Sequence, residues 1–124
     1  MTKDGEIILN HDATIDRTTH EKGNIAELDW EDLKKINAGS KFYERKDLNR
    51  KTSFVLLKEA LSTFDKICFN LDLKEFGMAE KVYKIIKETN AEERTLVSSF
   101  SPSRLDEFIE VEYQIGRASC RERV

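Results

Sequence analysis

The sequence predicts an α/β fold in which parallel strands alternate with helices. Short apolar runs at residues 6–10, 66–73 and 94–98 read as strands, and the stretches between them carry apolar residues at helical spacing. That alternation implies a parallel sheet. A closed (β/α)8 barrel takes roughly 250 residues, so a chain of 124 holds less than half of one. Periodicity alone equally allows a small doubly wound sheet.

Taken in order, the Asp4-Gly5 turn opens the first strand, residues 6–10, with Ile7-Ile8-Leu9 at its centre. Residues 13–25 read as a polar loop with Gly23 and Asn24 as turn residues. Asp29 is a good N-cap, with Asp32 at the reciprocal capping-box position, for a helix from Trp30 to about Asn37 that Gly39 ends. Residues 41–51 are charged and irregular. Phe54, Leu57, Ala60, Leu61 and Phe64 form a helical stripe over residues 53–64. Residues 66–73 are a strand whose Cys68 is expected in the core. Residues 77–89 are a helix with Met78, Val82, Ile85 and Ile86 on one face. A strand at 94–98 follows, and Pro102 in a first turn, preceded by Ser101, starts the last helix.

The ten residues Ile115 to Val124 have a different origin. They are what ATC GGA AGA GCG TCG TGT AGG GAA AGA GTG encodes, a short-read sequencing adapter whose next codon is a stop, and Gln114 is doubtful for the same reason. The expected division is therefore residues 1–113 as protein and 114–124 as a non-native tail. The formal charge of the whole chain is −3; without the tail's three arginines and one glutamate it becomes −5. Such a balance does not favour nucleic acid or an anionic membrane surface. No run is long and apolar enough to span a membrane. With Cys120 in the tail, Cys68 is the one cysteine left, so neither a disulfide framework nor a thiolate metal site is expected.

Chemistry concentrates at two places. The first strand runs into Asn10-His11-Asp12 and then a loop carrying Arg17. Titratable groups at a strand's C-terminal end stand where α/β barrels build active sites. An imidazole passes protons near neutral pH, although a histidine at a strand end also serves simply as a loop cap. Asp12 is read as orienting the loop or His11. Arg17 is suited to gripping phosphate, but a structural pairing with Asp12 or Asp16 is favoured. His20 is read as surface. The second place is Asn70-Leu71-Asp72-Leu73-Lys74, where alternation puts Asn70, Asp72 and Lys74 on one face. Charges facing a barrel interior need a partner or a ligand; the plainer alternative is an edge strand with a solvated Asp–Lys pair.

The long ordered string TKDG, apolar strand, HDATIDRTT, and a helix ending near Asn37-Ala38-Gly39 resembles the glycerophosphodiester phosphodiesterase family. The resemblance implies an incomplete TIM-type (β/α)8 barrel. It implies hydrolysis of a small-molecule glycerophosphodiester to glycerol 3-phosphate and an alcohol, assisted by Ca2+ or Mg2+. His11 matches the second of the family's two acid/base histidines; the first stands in an H-R-G motif that this sequence lacks. Asn70-Leu71-Asp72-Leu73-Lys74 matches the family's N-[IL]-[ED]-[IL]-K, which makes Asp72 a metal ligand and Lys74 a phosphate contact, with Asn70 supporting. Asp stands where Glu is usual, so the cation would sit closer to the strand. Two further carboxylates are expected from an E-x-D motif upstream of Met1, which makes Met1 an internal residue and this chain, by itself, inactive. Ser98-Ser99-Phe100 resembles the family's pocket-wall S-F. Residues 51–61 fit I-P-T-L-x-E-x-L loosely, with Val55 in place of Pro. Two other readings remain: a related phospholipase D-like barrel acting on lysolipids or sphingolipids, and a non-enzymatic α/β binding domain. The lack of glycine from Asp12 to Thr19 weighs against a phosphate-cradling loop in the latter. The compartment is left open, with the cytoplasm favoured.

Overall fold

The computed structural model describes residues 1–121, with side chains described through Ile115. The chain divides into two compact units, Met1–Ala60 and Leu61–Val124. Secondary structure runs β1 (Ile8–Leu9), a 3-10 turn (Ile25–Glu27), α1 (Trp30–Leu33), α2 (Ser40–Arg45), β2 (Val55–Leu56), α3 (Leu57–Thr63), β3 (Phe69–Asp72), α4 (Ala79–Glu88), a 3-10 turn (Glu92–Arg94), β4 (Thr95–Ser98) and α5 (Pro102–Arg121).

In the first unit, Ile15, Ile25, Leu33 and Phe54 form a buried core against which Ile8, Leu28, Trp30, Ile36 and Ala38 pack. The polar loop is folded back on itself. Thr14 bridges Asn24, Ile15 N–H donates to the Gly23 carbonyl, and Ile25 N–H to that of Ala13. Ile15 thereby points inward as a plug while its charged neighbours stay at the surface. The Thr2–Gly5 turn is as expected: Thr2 Oγ1 donates to Asp4 Oδ1 at 2.6 Å, and Gly5 takes a φ of +89°.

Several expectations are corrected here. Asp29 occupies the N-cap position of α1, but its carboxylate caps nothing; Asp4 Oδ1 accepts the Trp30 N–H at 3.0 Å instead. The helix is one turn long, because beyond Lys34 the bonds tighten to i→i+3 spacing at Lys35 and Ile36. Gly39 does not end it. Gly39 is the residue before α2, where a Cβ would lie 2.8 Å from Tyr43 Cε2. Residues 41–45, part of the stretch 41–51 read as irregular, belong to that helix. Asn37 locks the entry: its Nδ2 donates to the Arg50 carbonyl at 2.9 Å, and its Oδ1 accepts from Thr52 N and Gly39 N.

Helix 53–64 of the sequence reading begins later, at Leu57, because Val55 and Leu56 are extended. They pair antiparallel with β1, in the register Ile8↔Leu56 and Leu9↔Val55. A β-branched Val suits that conformation, and a ladder offers its backbone partners that a helix start leaves free. The expectation of wholly parallel pairing therefore fails at this short ribbon.

In the second unit, β3 and β4 pair in parallel, in the register Phe69↔Thr95 to Asp72↔Ser98, with α4 as the crossover. Alternation is as read: Leu71 and Leu73 are buried, Asn70 and Lys74 are exposed, and Asp72 is half-buried. The same parity corrects Cys68. It shares the even-numbered face, lies before the strand begins, and is exposed. Helix α4 buries Ala79, Val82, Tyr83 and Ile86, and it ends with Asn90 in the left-handed region, φ +52°, where Ala91 N–H reaches back to the Ile86 carbonyl. Phe108 of α5 packs on Tyr83 with ring centroids 6.1 Å apart.

Arg94 closes the bottom of this unit. Its guanidinium donates to the carbonyls of Leu61, Phe64 and Ile67, at 2.6, 3.0 and 3.1 Å. Leu61 and Phe64 lie at the C-terminal end of α3, where carbonyls lack helical partners. Arg94→Ala should lower stability by about 2 kcal/mol, since charge-assisted bonds are lost and carbonyls stranded. Urea unfolding monitored by circular dichroism measures this, and an unchanged midpoint would show the three bonds to be replaceable by water.

Candidate active site

The N-terminal group is organised by β1 and the loop after it. Asn10 Nδ2 donates to the Asp12 carbonyl at 2.8 Å, which folds the chain sharply after the strand. His11 then projects outward with a side chain 78% exposed, and its Nδ1 lies 2.8 Å from Asp12 Oδ1. Arg17 closes on the same carboxylate, with Nε 2.7 Å from Oδ2 and Nη2 3.2 Å from Oδ1. The result is a relay of three side chains, imidazole to carboxylate to guanidinium. The expected structural role of Arg17 is seen, with Asp12 rather than Asp16 as its partner. Asp16 instead accepts the Gly23 N–H through its carboxylate.

Electrostatics follow from this contact. The Arg17 guanidinium first, and the His11 hydrogen bond second, hold the Asp12 carboxyl at about 2, below its ordinary 3.8. The Asp12 carboxylate in turn pushes the Arg17 pKa up. Because Asp12 is ionised at neutral pH, it can only accept hydrogen bonds. Nδ1 of His11 must therefore carry the hydrogen, and Nε2 of the neutral ring carries the lone pair. The tautomer is set by Asp12, and Nε2 is the atom presented to solvent for proton exchange.

A test follows directly. Arg17→Gln should raise the Asp12 pKa from about 2 towards 3.8, as read by carboxyl-carbon chemical shifts in an acid titration. The sign is that of a depressed acid: its ionised form favours the folded loop above the ordinary value, and that preference is lost as pH falls through about 2. An unmoved titration would show that the guanidinium does not hold the carboxylate in solution.

The second group lies at the C-terminal ends of β3 and β4. Lys74 Nζ is 2.7 Å from Asp72 Oδ2, with both side chains partly exposed, and it stands 5.9 Å from the Phe100 ring centroid. Asn70 joins them on the same face, where Ser98 Oγ donates to its Oδ1 at 3.0 Å across the parallel ladder. Ser99 Oγ donates to the Leu73 carbonyl at 3.0 Å. Arg104 also reaches back, donating to the Lys74 carbonyl. The serine pair, read from sequence as pocket wall, thus fixes the amide of Asn70 and the chain at Leu73. The parallel register sets Ser98 opposite Asp72.

Among the described residues, no three His, Cys, Asp or Glu side chains gather as a group able to hold a metal ion. Asp72 is a single carboxylate already paired with Lys74. The described side chains therefore do not by themselves make a cation site. His20 is exposed, as read, and pairs with Glu44 at 2.8 Å. What the sequence reading missed is a cavity of about 580 Å³ in the first unit, bordered by Arg17, His20, Gly39, Lys41, Phe42 and Arg45 among others.

The chain matches the glycerophosphoryl diester phosphodiesterase family over residues 1–113. A glycerophosphodiester phosphodiesterase of Caldanaerobacter subterraneus is 37% identical over 106 residues, which cover 82% of this chain and 43% of the relative. The crystal structure of a glycerophosphodiester phosphodiesterase from Agrobacterium tumefaciens superposes with a TM-score of 0.79 at 23% identity, covering 91% of this chain and 48% of that one. A phosphodiesterase from Oleispira antarctica, solved in complex with the product sn-glycerol-3-phosphate, superposes with a TM-score of 0.67 at 25% identity, over 82% of this chain and 43% of that one. The chain thus spans less than half the length of these relatives, and its fold is part of a TIM-type (β/α)8 barrel, as the sequence predicted. The match over residues 1–113 places the chain in the glycerophosphoryl diester phosphodiesterase family.

Proposed function

We propose that residues 1–113 are part of an enzyme that hydrolyses glycerophosphodiesters to glycerol 3-phosphate and an alcohol, and that residues 114–124 are a non-native tail. The family match ends at residue 113, which supports that division. The observation that carries the chemistry is the 2.8 Å contact of His11 Nδ1 with an ionised Asp12. It leaves Nε2 as one of two proton-transfer atoms, the other being expected on the histidine of an H-R-G motif outside this sequence. In the reaction, a hydroxyl oxygen forms a bond to phosphorus and gives up its proton. The phosphorus–oxygen bond to the alcohol breaks, and the departing oxygen receives a proton. The attacking hydroxyl is that of water, or the 2-OH of the glycerol with water opening the cyclic ester afterwards. Each imidazole serves one of these transfers, worth about 10²- to 10⁴-fold in rate.

Lys74 is assigned to the phosphoryl oxygens, on which negative charge is concentrated. Asn70, held by Ser98, supports the same face. Asp72 is proposed as one oxygen ligand of a divalent cation, Ca2+ or Mg2+, with the remaining carboxylates from the expected E-x-D motif. The family is generally metal-dependent, and hard cations take oxygen ligands. A small-molecule diester is the proposed substrate, in line with the glycerol 3-phosphate held by the Oleispira relative. No helix of the described residues is long and apolar enough to cross a membrane.

The test is release of glycerol 3-phosphate from glycerophosphocholine by the intact parent protein. Turnover of lysophosphatidylcholine with none of the diester would favour the phospholipase D-like reading and sink this one. Residues 1–113 expressed alone should release no glycerol 3-phosphate in the presence of Ca2+; robust turnover would show that the missing motifs are dispensable.

A further inference from the structure

The cavity of the first unit is contiguous with the relay through one residue. Arg17 holds Asp12 on one side and borders the cavity on the other. At about 580 Å³ it falls within the usual size of a small-molecule site. Gly39 and Ala38 border it without bulk, and Phe42 supplies a ring that is 50% exposed. Its charges are unbalanced. Lys41 Nζ donates to the Asp16 carbonyl at 2.6 Å, which leaves its charge unneutralised. Arg45 makes no ion pair with a carboxylate among the described residues. The one acidic side chain on the wall, Glu44, is engaged by His20.

Resting on the hydrolase reading above, we propose that this cavity is the subsite for the alcohol half of the diester, and that Lys41 and Arg45 make it select alcohols bearing an anionic group over alcohols bearing a cation. His11 is given the transfer to the leaving alcohol; it does not itself border the cavity, but the carboxylate that orients it, Asp12, is held by Arg17, whose side chain does. A quaternary or primary ammonium would meet two basic side chains and a carboxylate already bound. A carboxylate or phosphate on the alcohol would meet the same two cations as partners. Specificity of this kind is a difference in transition-state binding between two substrates.

The probes are two esters of glycerol 3-phosphate, one with glycolate and one with ethanolamine, alike in size and opposite in charge. In the intact parent protein, kcat/KM should favour the glycolate ester by about tenfold, and Arg45→Glu should erase or reverse that ratio. An equal ratio in both proteins overturns the proposal. If neither ester is cleaved, the hydrolase reading has failed, and binding decides the subsite separately. Glycolate at millimolar concentration should then shift the backbone amides of Gly39 to Arg45 in the wild type and not in Arg45→Glu. Shifts produced by ethanolamine instead, or none from either, overturn the subsite as well.

Discussion

Replacing His11 by alanine in the intact parent protein should lower kcat for glycerophosphodiester hydrolysis by about 10²- to 10⁴-fold, the usual worth of one positioned proton-transfer group. Stability should hardly change. The side chain is 78% exposed and its polar contact is with Asp12, and surface substitutions of this kind stay within about 0.5 kcal/mol. That separation matters, because a histidine that merely capped the loop would give the opposite pattern: a lower melting temperature with turnover intact. Two further measurements sharpen the result. Added imidazole should restore part of the lost rate in His11→Ala, since a small base can enter an open site. Asp12→Asn should also slow the enzyme while keeping the imidazole in place. An asparagine amide can donate as well as accept, so the ring is no longer forced to hold its hydrogen on Nδ1. If His11→Ala keeps most of its turnover, the relay is structural and the catalytic assignment is wrong.

The fold class and the local alternation along each strand were legible in the sequence, whereas pairing between distant residues was not. Asn70, Asp72 and Lys74 share a face because strand alternation is a local property with period two, and nothing distant can change it. The same rule, applied two residues further back from Asn70, puts Cys68 outside. The pairing of Asp12 with Arg17 was one of two open options, and only a folded loop could choose between Asp12 and Asp16. Val55 and Leu56 were unreadable for a different reason. Their extended form depends on β1, more than forty residues away in the chain, while their local spacing continues a helical stripe. Helix α2 has no apolar stripe at all, only Phe42 and Tyr43 among charges. It forms because Asn37 and Gly39 fix its entry and Tyr43 closes over Gly39. Such contacts between residues far apart are invisible to any window of sequence, and the cavity that α2 borders was invisible with them.

Lys74→Met should lower kcat/KM for the diester by about 10²- to 10³-fold, the range seen when one preorganised group facing transition-state charge is removed. The ammonium now lies 2.7 Å from Asp72 Oδ2, with both side chains partly exposed. An exposed ion pair of this kind contributes only about 0–1 kcal/mol to folding. A purely structural Lys74 therefore predicts a small loss of stability and no specific loss of rate. The catalytic assignment predicts the reverse, and a loss larger in kcat than in KM, because charge on the phosphoryl oxygens is redistributed as the bond to the alcohol breaks. Lys74→Arg discriminates further. It keeps the positive charge and the contact with the Phe100 ring, yet its planar fork cannot occupy the point position of an ammonium. Partial recovery of kcat in Lys74→Arg, with none in Lys74→Met, would assign the effect to charge near the phosphate. Equal loss in both would assign it to the shape of the site, and full activity in Lys74→Met would remove this face of β3 from the reaction.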